Sequence, residues 1–195
     1  MIIAQEIEIE FKNMLKKNEY QKVYQFLPFE SVELIEQTNY YFETEDMLLK
    51  QQGAALRIRQ KNGQWTLTLK QPHEEGLLET HDSLSEDGAN LWIQNKMMET
   101  PEVSKQLRDL GITIEHLHYL GSLTTRRKEV EYNGATIVLD HSLYYDKEDY
   151  ELEVEASSQE NGKKVIREIL NACNIPERQT DNKIKRFYNA KLQSE

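Results

Sequence analysis

Glu6-Ile7-Glu8-Ile9-Glu10-Phe11-Lys12 places an apolar residue at every odd position and a charged one at every even position. Side chains alternate across a strand, so this stretch reads as a β-strand with one apolar and one ionic face. Same-face glutamates stand about 6.5–7 Å apart along such a strand. Like charges at that spacing disfavour a sheet unless cations sit among them. The pattern returns at Tyr150-Glu151-Leu152-Glu153-Val154-Glu155. Basic rows stand elsewhere: Leu56 and Ile58 alternate with Arg57 and Arg59, and beyond Asn62-Gly63 the residues Trp65, Leu67 and Leu69 alternate with Thr66, Thr68 and Lys70. Asn-Gly between two alternating runs predicts a hairpin with its basic residues on one face.

Any one such strand reads by default as a half-exposed antiparallel strand with its charges in water. Two carboxylate rows beside separate Arg and Lys rows suit a different arrangement, in which the charged faces turn inward around a ligand. Hard cations such as Mg²⁺ and Mn²⁺ take oxygen donors and share phosphate oxygens. Guanidinium and ammonium groups hold the remaining phosphate oxygens. A metal polyphosphate therefore accounts for both signs of charge.

The rest of the chain supplies the covering elements. A short helix capped by Asn18 carries Tyr20, Val23, Tyr24 and Leu27 as a stripe before Pro28. Strands are expected at Asn39–Thr44, Ala55–Gln60, Leu78–Leu84, Leu123–Tyr132, Ala135–Asp140 and Tyr150–Ala156, with a second Asn-Gly turn at Asn133-Gly134. Helices are expected from about Glu86 to Met98 and from Pro101 to Leu110, the latter capped by Thr100 and stopped by Gly111. Two more close the chain: one bearing Val165, Ile166, Ile169, Leu170 and Cys173, the other running from Lys183 to Leu192. No Gly-, Ser- or Pro-rich linker interrupts the 195 residues, so they are read as one domain, 1–195.

Acidic residues outnumber basic ones 34 to 24, for a formal charge of −10, which argues against a long nucleic-acid partner but not against a small polyanion. The one cysteine, Cys173, forms no intramolecular disulfide and points to a reducing compartment. The first residues, Met1 to Gln5, lack a leader pattern, and no apolar run is long enough to span a bilayer, so a cytoplasmic location without membrane attachment is expected. A P-loop, paired zinc cysteines and a Gly-x-Ser-x-Gly elbow are all missing from the sequence. The five histidines are scattered; His116 and His118 read as a surface pair, while His81 and His141 border charged strands.

The ordered motifs resemble those of the CYTH superfamily, the triphosphate tunnel metalloenzymes. Glu8-x-Glu10-x-Lys12 matches the hallmark Glu-x-Glu-x-Lys strand, followed in order by Leu56-Arg57-Ile58-Arg59, Thr66-Leu67-Thr68-Leu69-Lys70, Glu79, Arg127, Asp140, Glu151-Leu152-Glu153 and Lys183. The match spans practically the whole chain and is nearest to small bacterial members of the YjbK-like kind. It implies an α+β fold: a closed, mainly antiparallel eight-stranded β-barrel with a polar interior, flanked by helices. It further implies that Lys12, Arg57, Arg59, Lys70, Arg127 and Lys183 bind phosphates and that Glu8, Glu10, Glu151 and Glu153 hold Mg²⁺ or Mn²⁺. Glu79 and Asp140 become acidic members of the catalytic site. Glu6 and Glu155 extend the carboxylate rows as secondary ligands, and Arg126 replaces Arg127 if the register slips by one. Thr125 stands where many members carry a lysine.

The activity implied is metal-dependent hydrolysis of a small triphosphate, with inorganic triphosphate favoured over a nucleotide. A class IV-type adenylate cyclase and a noncatalytic polyphosphate- or nucleotide-binding module stand as alternatives. The oligomeric state, a homodimer included, is left open by the sequence.

Overall fold

The computed structural model describes residues 4–194, with side chains for 4–191. Residues 1–3, which bear on the leader pattern, and the Leu192 side chain lie outside that description. Nine strands are present among the described residues: β1 Gln5–Glu8, β2 Glu10–Leu15, β3 Ile35–Thr44, β4 Ala55–Lys61, β5 Gln64–Pro72, β6 Leu77–Leu84, β7 Leu117–Tyr132, β8 Ala135–Tyr144 and β9 Lys147–Ala156. Six α-helices accompany them: α1 Lys17–Phe26, α2 Leu48–Gln51, α3 Glu86–Ile93, α4 Val103–Asp109, α5 Gln159–Ala172 and α6 Lys183–Ser194. The α+β class is as expected.

The strand count corrects the expected eight. The N-terminal run does not stay one strand: it divides at Ile9, where β1 ends and β2 begins, and the two halves pair with different partners, β6 and β9. The chain correspondingly divides into two compact units, one formed by the residues up to Glu8 with Gln37–Leu123, the other by Ile9–Glu36 with the residues from Thr124 onward.

In the first unit β1, β6, β5, β4 and β3 form an antiparallel ladder in that order. One face carries Phe42, Leu56, Ile58, Leu67 and Leu69, buried against Ala89 and Trp92 of α3 and Val103 and Leu107 of α4. Asp82 also lies on this apolar face, where its carboxylate accepts hydrogen bonds from the Glu102 and Val103 backbone N–H groups at 3.1 and 2.7 Å. It thereby does the capping work expected of Thr100, and α4 starts at Val103 rather than Pro101. Gly111, at φ +74°, ends that helix as the sequence indicates. Helix α3 stops at Ile93, short of Met98, because Asn95 adopts φ +60° just beyond it.

In the second unit β7, β8, β9 and β2 form the ladder. Its apolar face carries Ile137, Leu139, Leu152 and Val154, packed with Val23 of α1 and Val165, Ile166 and Ile169 of α5. Helix α1 begins after Lys16, not at Asn18: the Glu19 carboxylate accepts the Lys16 backbone N–H at 2.7 Å and supplies the reciprocal half of a capping box. Strands β8 and β9 run past their expected ends because the ladder continues through polar pairs such as Ser142 with Asp149. Both Asn-Gly pairs adopt positive φ at both residues, Asn62 and Gly63 at 52° and 74°, Asn133 and Gly134 at 50° and 73°, as the predicted hairpin turns require. No helix among the described residues is long and apolar enough to cross a membrane.

Gly162 sets how closely α5 approaches the sheet. A Cβ there would lie 2.3 Å from the Phe11 ring and 3.3 Å from the Ala156 Cβ. Alanine gains about 1 kcal/mol of helix propensity over glycine, but overpacking costs about 1–3 kcal/mol. Gly162→Ala is expected to lower the thermal midpoint, and a midpoint at or above that of the wild type would show that Phe11 moves aside freely.

Candidate active site

The faces opposite the two apolar ones carry the charge. In the first unit the register puts Glu6 opposite Glu79, Lys70 opposite Glu79, His81 opposite Thr68, and Thr68 opposite Arg57, so these side chains share one face with Glu8 and Arg59. Lys70 donates to Glu8 and lies 3.1 Å from Glu79 Oε1, and Arg57 Nη2 stands 3.6 Å from that same oxygen. Arg59 Nε donates to Asn39 Oδ1 at 3.1 Å, with Asn39 buried beside it on β3. Burial pushes the Glu79 carboxyl up, but Arg57 and Lys70 outweigh it and hold its pKa down to about 2. Glu79 is therefore an anion at neutral pH, and the hairpin supplies its counter-charges.

The second unit concentrates more charge in less space. Arg127 donates from Nε and Nη2 to the two oxygens of Asp140 at 2.8 and 2.7 Å, and from Nη2 to Glu153 at 2.7 Å. Lys183, on the first turn of α6, reaches Asp140 at 2.7 Å, Glu151 at 3.0 Å and Glu153. Arg186, one turn later, donates to Glu151 at 2.6 Å and to Asp149 at 2.9 Å. Asp140 and Glu151 are fully buried. Burial works against the charged forms of Asp140, Glu153, Arg127 and Lys183; the opposite charges prevail, holding the Asp140 and Glu153 carboxyls below the usual range and raising Arg127 and Lys183 above theirs. On β2, Lys12 donates to Glu10 at 2.8 Å.

The expected site residues therefore fall into two sets. Glu6, Glu8, Arg57, Arg59, Lys70 and Glu79 share the charged face of the first unit, while Glu10, Lys12, Arg127, Asp140, Glu151, Glu153 and Glu155 share that of the second. Lys183 joins the latter set from α6. The register resolves the Arg126 alternative, since Arg127 pairs with Asp140 while Arg126 is exposed and bonded to Glu36 at 3.2 Å. Thr125 meets Ser142 at 3.2 Å in the same row as Arg127.

A family model described as the CYTH domain matches residues 6–188. The chain belongs to the CYTH domain family. It is 47% identical over 194 residues to YjbK of Bacillus subtilis (strain 168), which is named as a candidate triphosphatase; the match covers 98% of this chain and 100% of that protein. A solved structure from Bacillus halodurans, described as that of a candidate adenylate cyclase, is 41% identical with a TM-score of 0.90, covering 95% of this chain and 100% of its own. HpAC1 from Hippeastrum, at 24% identity and a TM-score of 0.77, covers 94% of this chain and 96% of its own and shares the fold.

Three groups of this CYTH domain escape a reading of the sequence by motif. Asp149 continues the carboxylate row of β9 by one more period-two step before Glu151, and Arg186 follows Lys183 at the i, i+3 spacing of one helix face. Both spacings are present in the sequence. Tyr144, which donates to Asp149 at 2.7 Å, carries no such signal, because its partner is set by the β8–β9 turn.

The donors fit a hard divalent cation. Four carboxylates of the second unit, Asp140, Asp149, Glu151 and Glu153, face three cations, Arg127, Lys183 and Arg186. Glu151 Oε1 and Asp149 Oδ1 are buried and accept no hydrogen bond among the described residues. Carboxylate oxygens without a hydrogen-bond partner are the kind of donor that Mg²⁺ and Mn²⁺ take.

Proposed function

We propose that this CYTH protein hydrolyses a small triphosphate, inorganic triphosphate foremost, with Mg²⁺ or Mn²⁺ as cofactor. The observation that carries the reading is the enclosure of the buried Arg127 and the half-buried Lys183 by the buried carboxylates of Asp140, Glu151 and Glu153. Buried ion pairs add little to stability relative to apolar packing, so such a concentration calls for a ligand of mixed charge.

Arg57, Arg59 and Lys70 of the first unit bind phosphate oxygens, as do Lys12, Arg127 and Lys183 of the second. Because they are fixed before substrate arrives, Arg59 by the Asn39 amide and the others by carboxylate neighbours, they oppose the charge that builds on the transferred and leaving groups with little reorganisation. Glu8 on the charged face of the first unit and Glu10, Glu151 and Glu153 on that of the second are the carboxylates that would take metal, and Glu79 and Asp140 keep the basic residues of their own faces in place. The metal, when bound, supplies Lewis-acid polarisation of a phosphoryl oxygen and lowers the pKa of a bound water.

Incubating the full chain with inorganic triphosphate or ATP in Mg²⁺ or Mn²⁺ is expected to release orthophosphate, and excess EDTA should abolish the release. The similarity to the Bacillus halodurans candidate cyclase keeps a second reading in view. Cyclic AMP and pyrophosphate as the products from ATP would replace hydrolase by cyclase. Tight triphosphate binding without turnover in either metal would overturn both.

A further inference from the structure

We propose a second cation site in the first unit, formed by Glu6, Glu79 and His81 and suited to a borderline metal such as Zn²⁺ rather than to Mg²⁺. None of the four carboxylates assigned above to the Mg²⁺ or Mn²⁺ cofactor belongs to it, and it stands or falls apart from the triphosphatase reading. One donor atom from each of the three residues lies within 4.8 Å of the others. His81 Nε2 stands 3.3 Å from Glu6 Oε1 and 3.6 Å from Glu79 Oε2.

Those separations decide between two accounts. A charge-assisted hydrogen bond to a carboxylate closes to about 2.7–2.9 Å, and His141 Nε2 stands 2.8 Å from Glu148. His81 has two carboxylates at hand, yet makes only one long hydrogen bond, to Glu6 at 3.3 Å, and none to Glu79 at 3.6 Å. Donors held about 2.0–2.1 Å from a tetrahedral Zn²⁺ stand about 3.3–3.4 Å apart, which the Glu6 separation of 3.3 Å meets and the Glu79 separation of 3.6 Å exceeds by a few tenths of an ångström.

The other ring nitrogen is also placed for ligation. Nδ1 lies 2.9 Å from the Thr68 hydroxyl, which can accept its proton and leave the Nε2 lone pair facing the carboxylates. Glu79 divides its oxygens to suit: Oε1 faces Lys70 and Arg57, while Oε2 faces His81. The half-exposed Glu6 side chain gives entry from solvent. Lys70 and Arg57 approach from β5 and β4, but on the Oε1 side, so they hold Glu79 ionised without occupying the donor oxygen. An imidazole nitrogen with two carboxylates is a donor set for Zn²⁺ and its neighbours, whereas Mg²⁺ selects oxygen alone.

The test is a Zn²⁺ titration of the EDTA-stripped full chain against a chromophoric chelator, with Mg²⁺ titrated in parallel. The expected result is one Zn²⁺ per chain, bound more tightly than Mg²⁺. His81→Gln and Glu6→Gln should each weaken it by more than about tenfold, and Thr68→Val by about ten- to a hundredfold through loss of the ring's anchor. Co²⁺ in place of Zn²⁺ should give a visible spectrum that changes in His81→Gln. Unchanged Zn²⁺ affinity in a folded His81→Gln overturns the site and locates the ion elsewhere, with His141 and Glu148 for example. If His81→Gln does not fold, the exposed Glu6→Gln decides in the same way. Zinc binding that depends on His81 in a protein without triphosphate turnover would sink the proposed function and leave this inference standing; turnover with no His81-dependent zinc binding would do the reverse.

Discussion

Arg127→Ala should lower the unfolding free energy by about 3–5 kcal/mol, while Arg126→Ala, one residue away, should change it by no more than about 0.5 kcal/mol. Arg127 is the shared partner of Asp140 and Glu153, both buried, and its removal takes away the hydrogen-bonded counter-charge that the two carboxylates share, leaving Lys183 in contact with both and Lys12 acting on Glu153 from β2. The expected loss measures uncompensated buried charge, not the net worth of the pair. Arg126 holds an exposed contact with Glu36, and solvent replaces it readily. Arg127→Lys should fall between, since an ammonium keeps the charge but not the bidentate grip on Asp140. Urea unfolding at pH 7 gives the comparison. Equal losses for the two alanine variants would mean that the register of β7 is wrong by one residue.

That register illustrates what the sequence reveals and what it withholds. Alternation alone assigns Arg57, Arg59, Lys70, Glu151 and Glu153 to charged faces, because a strand has two sides and the apolar residues claim one. At Thr125-Arg126-Arg127 alternation is ambiguous, and only the pairing of Arg127 with Asp140 across β7 and β8 removes the ambiguity. The rows of like charge imply a need for interleaved cations. Their identity as the protein's own Arg127, Lys183 and Arg186 cannot be read from the strands, since two of the three arrive from α6, far along the chain. Capping differs from expectation at two helices for a related reason. Asn18 and Thr100 are the residue types that cap helices, but the N–H groups of α1 and α4 meet Glu19 and Asp82, and Asp82 comes from a strand 20 residues earlier. The division at Ile9 is another long-range effect: nothing in Glu6–Lys12 breaks the alternation, and the break follows from β1 and β2 pairing with strands about 75 residues apart in sequence.

Glu79→Gln should be less stable than the wild type at pH 7 by about 3 kcal/mol, and the deficit should fade as the pH falls toward 2. The carboxyl is held down to about 2 in the folded protein, against 4.5 for an unperturbed glutamate. Burial opposes that shift and the cations Arg57 and Lys70 more than offset it. A folded-state pKa depressed below the unfolded one stabilises the fold fully above the unfolded pKa. Between about 4.5 and about 2 the unfolded chain takes up a proton that the folded chain refuses, so this contribution drains away as the pH falls through the window. At about 1.4 kcal/mol per unit the full effect is of the order stated. Glutamine keeps the shape and removes the titration, leaving Arg57 without the anion, while Lys70 retains Glu8. Denaturant unfolding of both proteins at pH 7, 5, 4 and 3 should therefore give two curves that converge on the acid side. Asp140 and Glu153 are also held low, and because both proteins contain them, their acid titration steepens each curve without altering the difference. Parallel curves would show that Glu79 titrates alike in both states, and that its counter-charges on β4 and β5 do not act on it.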